Sequence, residues 1–273
     1  MATWNIRSVL DMEGSVETAR QCREVSYSED RKIDRVVGEM QRYKVYIGAL
    51  QETKWFGSES YKVGHSIVLT SGRPTPQPGQ SGQRGESVAL VLSGPAIDAW
   101  KAGGQQWRSW NSRLISAAFG KPGSGSDRLH VLSCYAPTFA ASRVEKDQFF
   151  DSLQQALDDL PPSKCYVVLG DFNARVGSRV DVGEDWEGVR GPHGFGEVNE
   201  AGKELLTFLS LNEATVCNTW FEKKRIHKQT WQHPKSKRWH CIDYAITRQV
   251  DNNRCLDAAV KRGAECNTAW CRV

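Results

Sequence analysis

The sequence predicts an α/β fold, and three observations predict it. Short apolar runs of strand length alternate with amphipathic stretches of helical period along all 273 residues. Several of the apolar runs end on polar residues, as open α/β sheets do where they present a site. The order of strands and helices follows no strict β-α-β rhythm and no internal repeat, which reads as one α/β domain spanning 1–273.

The elements follow in chain order. ATWNI (2–6) opens as a short strand. SYSEDRKIDRVVGEMQRY (26–43) reads as a helix, with Ser26 and Glu29 as a capping box and Ile33, Val36, Val37, Met40 and Tyr43 at helical spacing. VYIGALQE (45–52), HSIVLT (65–70) and SVALVLS (87–93) are strand-like, and the Pro/Gly/Ser/Gln-rich stretch 71–87 between the last two reads as a mobile surface loop. SRLISAAFG (112–120) and RLHVLSCYAP (128–137) form a predicted hairpin across KPGSGSD. DQFFDSLQQALDDL (147–160) is a predicted helix stopped by Pro161 and Pro162. KCYVVLGDFNA (164–174) is a strand, NEAGKELLTFLSLN (199–212) a second amphipathic helix, and WHCIDYAIT (239–247) a late strand after ATVCNTW and QTWQH.

Composition bounds the function. No run of about 18 apolar residues is present, so no membrane partner is predicted. The N-terminus carries no apolar signal core, and the eight cysteines form neither C-x-x-C nor zinc spacing, so they read as free thiols. The expected location is intracellular, nuclear or cytoplasmic, with KKR and KSKR as weak import patterns. The formal charge of +4 does not by itself identify a nucleic-acid partner, but its distribution is uneven. Residues 222–238 hold seven Lys/Arg and one Glu, net +6, whereas 151–221 hold five Lys/Arg and twelve Asp/Glu, net −7. A basic segment carrying an aromatic beside an acidic one fits a phosphate-binding edge next to a cation site. Lys223, Lys224, Arg225, Lys228, Trp231, Lys235, Lys237 and Arg238 are its candidate DNA contacts, and a solvated hairpin is the plain alternative.

The chemistry-bearing residues sit where strands end: Asn5, Glu52, Tyr135, Asp171 with Asn173, and Asp243. Asp171 and Asn173, two apart in extended chain, point the same way and suit a grip on one phosphate, with an Asx-turn in GDFN as the plain alternative. Glu52 is a hard oxygen donor of the kind Mg²⁺ prefers, and QETKW makes a poor turn. Asp243, between Ile242 and Tyr244, needs a partner if buried.

TWNIRS, ALQETKW, CYAP, GDFNA and CIDYAI, in that order, resemble the endonuclease/exonuclease/phosphatase family, and NIRS, LQETKW and RGAEC point to its non-LTR retrotransposon endonuclease branch. The resemblance implies a four-layer sandwich of two β-sheets flanked by helices, and phosphodiester hydrolysis assisted by Mg²⁺ or Mn²⁺, with DNA as partner and a monomer as the favoured state. It implies Glu52 as main metal ligand with Asn5 beside it. It makes Tyr135 a contact to the scissile phosphate, Asp171 the group that orients or deprotonates water, and Asn173 a holder of a phosphate oxygen. Asp243 would steer a histidine from behind, and Arg7 would place a cation near DNA phosphate. The family pattern closes on Ser/Thr-Asp-His. Thr268 fits, but Ala269 and Trp270 stand where Asp and His belong, so the last strand reads as truncated or altered and the nuclease as impaired. No other histidine is expected to replace it: His240 lies three residues from Asp243 and His130 five from Tyr135, odd offsets that put each pair on opposite faces of a strand. Two other readings stay open: a nuclease-derived binding or interaction module, and a lipid or inositol phosphatase of the same superfamily.

Overall fold

The computed structural model describes residues 1–6, 32–74, 85–120, 128–161, 165–178, 186–261 and 270–272. In chain order the first half comprises β1 (Ala2–Asn5), α1 (Lys32–Arg42), β2 (Ile47–Gln51), β3 (Ser60–Val63), β4 (Ser66–Gly72), β5 (Ser87–Leu92), α2 (Pro95–Ala102), β6 (Trp107–Asn111), β7 (Leu114–Phe119) and β8 (Leu129–Tyr135). The second half comprises α3 (Arg143–Asp158), β9 (Cys165–Asp171), β10 (Val176–Gly177), β11 (Phe195–Val198), α4 (Glu200–Leu211), β12 (Ala214–Val216), β13 (Trp231–Gln232), β14 (Trp239–His240), β15 (Asp243–Arg248), β16 (Ala259–Lys261) and β17 (Trp270–Arg272).

Two mixed sheets carry the architecture. One has the strand order β16-β17-β1-β2-β5-β4-β3, the other β12-β15-β9-β8-β7-β6. Each contains one parallel pair, β1 with β2 and β8 with β9, and each pair is joined by a helix, α1 or α3. Parallel neighbours need such a crossover, so the fold holds two β-α-β units, one per sheet. Between the sheets lie Ile47, Ala49, Leu69, Leu90 and Leu92 from the first and Ile115, Ala117, Val131, Val167, Leu169 and Ala245 from the second. On the outer face of the first sheet, Ile33, Val36, Val37 and Met40 of α1 pack on Trp4, Leu50 and Val91. On the outer face of the second, Phe149 and Leu153 of α3 and Leu205, Leu206 and Leu209 of α4 pack on Leu132, Val168, Tyr244 and Ile246. The result is the expected four layers, and it explains why the central strands read as unbroken apolar runs: both of their faces are covered.

The structure redraws several boundaries. The helix expected over 147–160 begins at Arg143, because Ser142 and Glu145 form a reciprocal capping box, and it ends at Asp158 before the prolines. The stretch 71–87 is strand at both ends: Ser71 and Gly72 complete β4, Arg73 bridges Phe56, and Ser87 starts β5. The strand expected over 239–247 is two elements, β14 and β15, separated by Cys241 and Ile242. Helix α2 and strands β3, β6, β10, β11 and β16 carry no strong periodicity and were not foreseen. Ser26, Glu29, Arg7 and the turn 121–127 lie outside the described residues. No described helix is long and apolar enough to cross a membrane. Cys134, Cys165, Cys217, Cys241, Cys255 and Cys271 are free thiols.

Gly170 fixes how closely β8 and β9 approach beside the site. A methyl group there would collide with the backbone carbonyl and Sγ of Cys134, its register partner. Gly170→Ala should therefore destabilise the fold by about 1–3 kcal/mol through overpacking, measured as a lower urea midpoint at unchanged m-value.

Candidate functional site

The two β-α-β units end at the same place. Asn5 closes β1, Glu52 follows β2, Tyr135 closes β8 and Asp171 closes β9. Their side chains meet across the gap between the sheets. Asn5 Nδ2 donates to Glu52 Oε1 at 2.8 Å and to Asp171 Oδ2 at 2.8 Å. Tyr135 Oη donates to Glu52 Oε1 at 3.1 Å, and Lys54 Nζ lies 3.5 Å from Glu52 Oε2. Beneath them a buried polar link joins the sheets: Thr3 Oγ1 donates to Gln51 Oε1 at 3.2 Å and Gln51 Nε2 to Ser133 Oγ at 3.3 Å.

Local backbone strain accompanies the cluster. Glu52 (φ 56°), Lys54 (φ 64°) and Asn173 (φ 47°) all adopt the left-handed region without being glycine, at a cost of order 1–2 kcal/mol each and least for Asn. QETKW, a poor turn by composition, does turn, and the turn aims the Glu52 carboxylate back at Asn5 and Tyr135. Asn173 is likewise not extended. Its N–H donates to Asp171 Oδ1 at 2.9 Å in an Asx-type turn, and its Nδ2 donates to the Ala136 carbonyl at 2.9 Å. Asp171 and Asn173 are thus brought together by a turn and not by strand alternation.

Burial sets the electrostatics. It pushes the Asp171 carboxyl up to about 6, against the hydrogen bonds from Asn5 and Asn173 and with the Glu52 charge adding to the rise. Asp243 is the register partner of Asp171 across the β9–β15 ladder. Burial holds its carboxyl well above the usual range, and the Asp171 charge adds to this. Its Oδ1 has no hydrogen-bond partner among the described residues. The histidine it was expected to steer is not beside it among those residues. Tyr135 is held protonated by burial and by the Glu52 and Asp171 charges, which keeps it a donor.

These residues line a cleft of about 890 Å³. Asn5, Glu52, Tyr135, Asp171 and Asn173 form part of its lining. Thr138, Phe139, Arg175, Asn199 and the β13–β14 ribbon with Trp231, His233, Ser236, Arg238 and His240 form the rest. The basic segment therefore divides. Trp231 and Arg238 reach the cleft, and Lys235 and Lys237 are exposed on the ribbon's turn. Lys223 pairs with Asp257 at 2.6 Å, Arg225 lies over Phe195, and Lys228 donates to the His193 carbonyl at 2.7 Å. With Lys224 they belong to the neighbouring 222–228 stretch, outside the cleft lining. His240 corrects the expectation from strand alternation: β14 ends before β15 begins, so the parity argument does not apply, and His240 faces the cleft. Arg175, Phe139 and Asn199 were not foreseen either, since no motif marks them. A second cavity, lined by Met1, Leu129, Cys165, Cys217 and Cys255, lies at the other end of β8 and β9 and holds none of the predicted site residues.

The donor set fits a hard divalent cation. Among the described residues no group of three or more Asp, Glu, His or Cys forms a ready cage, but Mg²⁺ is commonly held by one or two carboxylates, with water and substrate phosphate completing its shell. Glu52 with Asn5, beside a second carboxylate whose ionisation is opposed by burial, offers this oxygen-rich and charge-hungry setting.

The profile of the Endonuclease/Exonuclease/phosphatase family matches residues 2–253. The chain belongs to the endonuclease/exonuclease/phosphatase family. Within it, the chain is 30% identical to craniofacial development protein 2 of Bos taurus over 275 residues, covering 97% of this chain and 43% of that protein. The same protein of Tragulus javanicus is 30% identical over 277 residues, covering 98% and 45%. The chain thus spans less than half the length of these curated relatives. Among solved structures, an AP endonuclease, LMAP, from Leishmania major superposes with TM-score 0.63 at 11% identity, covering 100% of this chain and 87% of that one. A 3′ phosphatase from Neisseria bound to product DNA hairpin gives 0.58 at 18%, covering 99% and 96%. The endonuclease domain of TRAS1, a telomere-specific non-LTR retrotransposon, gives 0.56 at 11%, covering 87% and 89%. These likenesses establish the family's sandwich of two mixed sheets flanked by helices.

The raised Asp171 has a consequence for folding. Its folded-state value lies above its ordinary 3.8, so its contribution to stability is fully present below 3.8 and is lost as pH rises through about 6. In metal-free buffer, the stability advantage of Asp171→Asn over the parent should widen by about 1 kcal/mol between pH 5 and pH 8, read from urea denaturation at each pH.

Proposed function

We propose that this chain is a metal-dependent phosphodiesterase that nicks DNA, with turnover reduced because Ala269-Trp270 stands in place of the family's Asp-His. The observation that carries the reading is the Asn5–Glu52–Asp171 cluster, closed across two sheets inside a cleft whose other side is basic and aromatic. Glu52 and Asn5 would hold Mg²⁺ or Mn²⁺, which supplies Lewis-acid stabilisation of charge on the phosphate. Asp171 accepts the proton of the attacking water, and its raised carboxyl is suited to this near neutrality. The second Nδ2 proton of Asn173, and the Tyr135 hydroxyl once it turns from Glu52, would donate toward non-bridging oxygens, where negative charge grows in the transition state. Asp243 pairs in register with Asp171, and burial holds its carboxyl well above the usual range. Trp231 and the 80% exposed Phe139 give two aromatic faces beside the cleft on which bases can stack. This favours nucleic acid over a lipid headgroup.

The binding-module reading keeps one specific support, the unpartnered Oδ1 of Asp243. There the same cleft would hold DNA without cutting it. Plasmid nicking separates the two. Glu52→Ala should reduce Mg²⁺-dependent nicking by about 10³-fold or more, and the pair Ala269→Asp with Trp270→His should raise it about 10²–10⁴-fold. Equal nicking by parent and Glu52→Ala would sink the nuclease reading, and DNA binding without nicking would favour the module. Phe139→Ala should weaken binding of a single-stranded oligonucleotide about 10–100-fold at unchanged Tm, measured by fluorescence anisotropy.

A further inference from the structure

The cleft carries a second polar cluster that this mechanism leaves idle. Arg175 and His240 both line it. Arg175 Nη1 lies 3.5 Å from His240 Nδ1, at the long end of hydrogen-bond range. A guanidinium only donates, so Nδ1 is the acceptor and the proton of the neutral imidazole sits on Nε2. His240 is neutral near pH 7, since burial and the charges of Arg175, His233 and Arg238 all push it below its ordinary value. Nε2 has no hydrogen-bond partner among the described residues.

Both members are anchored. The Trp231 ring lies 5.9 Å from the His240 ring at 32°, and the two residues are register partners in the β13–β14 ribbon. The Arg175 backbone is held at both ends by Asn199: its N–H donates to Asn199 Oδ1 at 2.8 Å, and its carbonyl accepts from Asn199 N–H at 3.1 Å. Asn199 Oδ1 also caps α4 by accepting from Gly202 N–H at 2.9 Å. The Arg175–His240 pair therefore rests on a helix end and a paired ribbon, as a preorganised donor must.

We propose that His240 donates Nε2–H to a non-bridging oxygen of the phosphodiester held in the cleft, and so stands in for the histidine missing at position 270, with Arg175 as the residue that positions it. The assignment rests on the phosphodiesterase reading above. The phosphate then lies between an acidic side, Glu52 and Asp171, and a neutral donor backed by Arg175. His240 adds a donor without adding a cation that would compete for the carboxylates.

The test is a set of variants assayed on supercoiled plasmid with Mg²⁺, in the parent and in the Ala269→Asp, Trp270→His background. In the parent, His240→Ala should lower kcat about 10²–10³-fold with little change in KM. His240→Gln, which retains an amide donor, should recover about tenfold or more of that loss. Arg175→Ala should lower kcat in the same direction, and adding it to His240→Ala should cost little more, since the two act as one unit. In the restored background the loss from His240→Ala should shrink below about tenfold, because two donors then serve one oxygen. Equal losses in both backgrounds, or a rise in KM alone, would overturn the assignment. So would a parent that does not nick while the restored chain does, and that outcome leaves the phosphodiesterase reading intact. Should Glu52→Ala nick as fast as the parent, both readings fall together.

Discussion

One amide nitrogen holds the site together. Asn5 Nδ2 donates at once to Glu52, beside its own sheet neighbour β2, and to Asp171 in the opposite sheet. The buried Asp171 carboxylate and the half-buried Glu52 repel each other across the gap, and the burial of Asp171 together with the Glu52 charge raises the Asp171 carboxyl. A shared donor offsets part of that repulsion and sets their spacing. The Thr3–Gln51–Ser133 link below it is fully buried and spans the same gap. A polar network in that position rewards one relative placement of the sheets and penalises any other, since a slip would leave its members unsatisfied. The apolar interior between the sheets provides most of the driving force, but it is tolerant of small shifts. The polar bridge is not.

The placement of the cluster follows from topology. Each sheet contains one parallel pair, and a parallel pair presents the C-terminal ends of both strands at one edge. Facing the two sheets so that these edges coincide gives four strand ends within hydrogen-bonding reach: β1 and β2 from one, β8 and β9 from the other. The strained turns at Glu52, Lys54 and Asn173 lie at these ends. Such backbone persists only where the surroundings over-determine it, and here carboxylate, amide and phenol contacts do so. Cross-ladder burial of Asp171 against Asp243 adds the charge imbalance that a cation or a proton must answer.

Much of this was legible in the sequence because the residues at strand ends are short polar types following long apolar runs. Asn5, Glu52, Tyr135 and Asp171 stand out for that reason, and the structure brings them together. What failed was any inference that assumed ideal geometry. Strand parity placed His240 away from the site, yet Cys241 and Ile242 interrupt the strand and reset its facing. The same assumption aligned Asp171 with Asn173 in extended chain, whereas an Asx turn does it. Charge counting treated 222–238 as one surface, but Lys223 is taken up by Asp257 and Lys228 by a backbone carbonyl. Arg175 was invisible because its role depends on Asn199, twenty-four positions away, and no local pattern encodes that contact. The helix starts well ahead of the apolar stripe of Phe149 and Phe150, because the Ser142–Glu145 capping box sets its start and not the hydrophobic period.

The pairing of β17 has a temporal consequence. β1 lies between β2 and β17, and β17 is also the link that joins β16 to the sheet. During synthesis β1 can pair with β2 well before β17 emerges, so its other edge stays open until residue 272 is available. An unpaired edge strand is a template for wrong partners. The strand that carries Asn5 thus waits for its second neighbour until β17 arrives, and the bridge between the carboxylates acquires its full support only then. Until β17 pairs with it, β1 keeps an open edge that can take a wrong partner, and removal of β17 would leave that edge exposed.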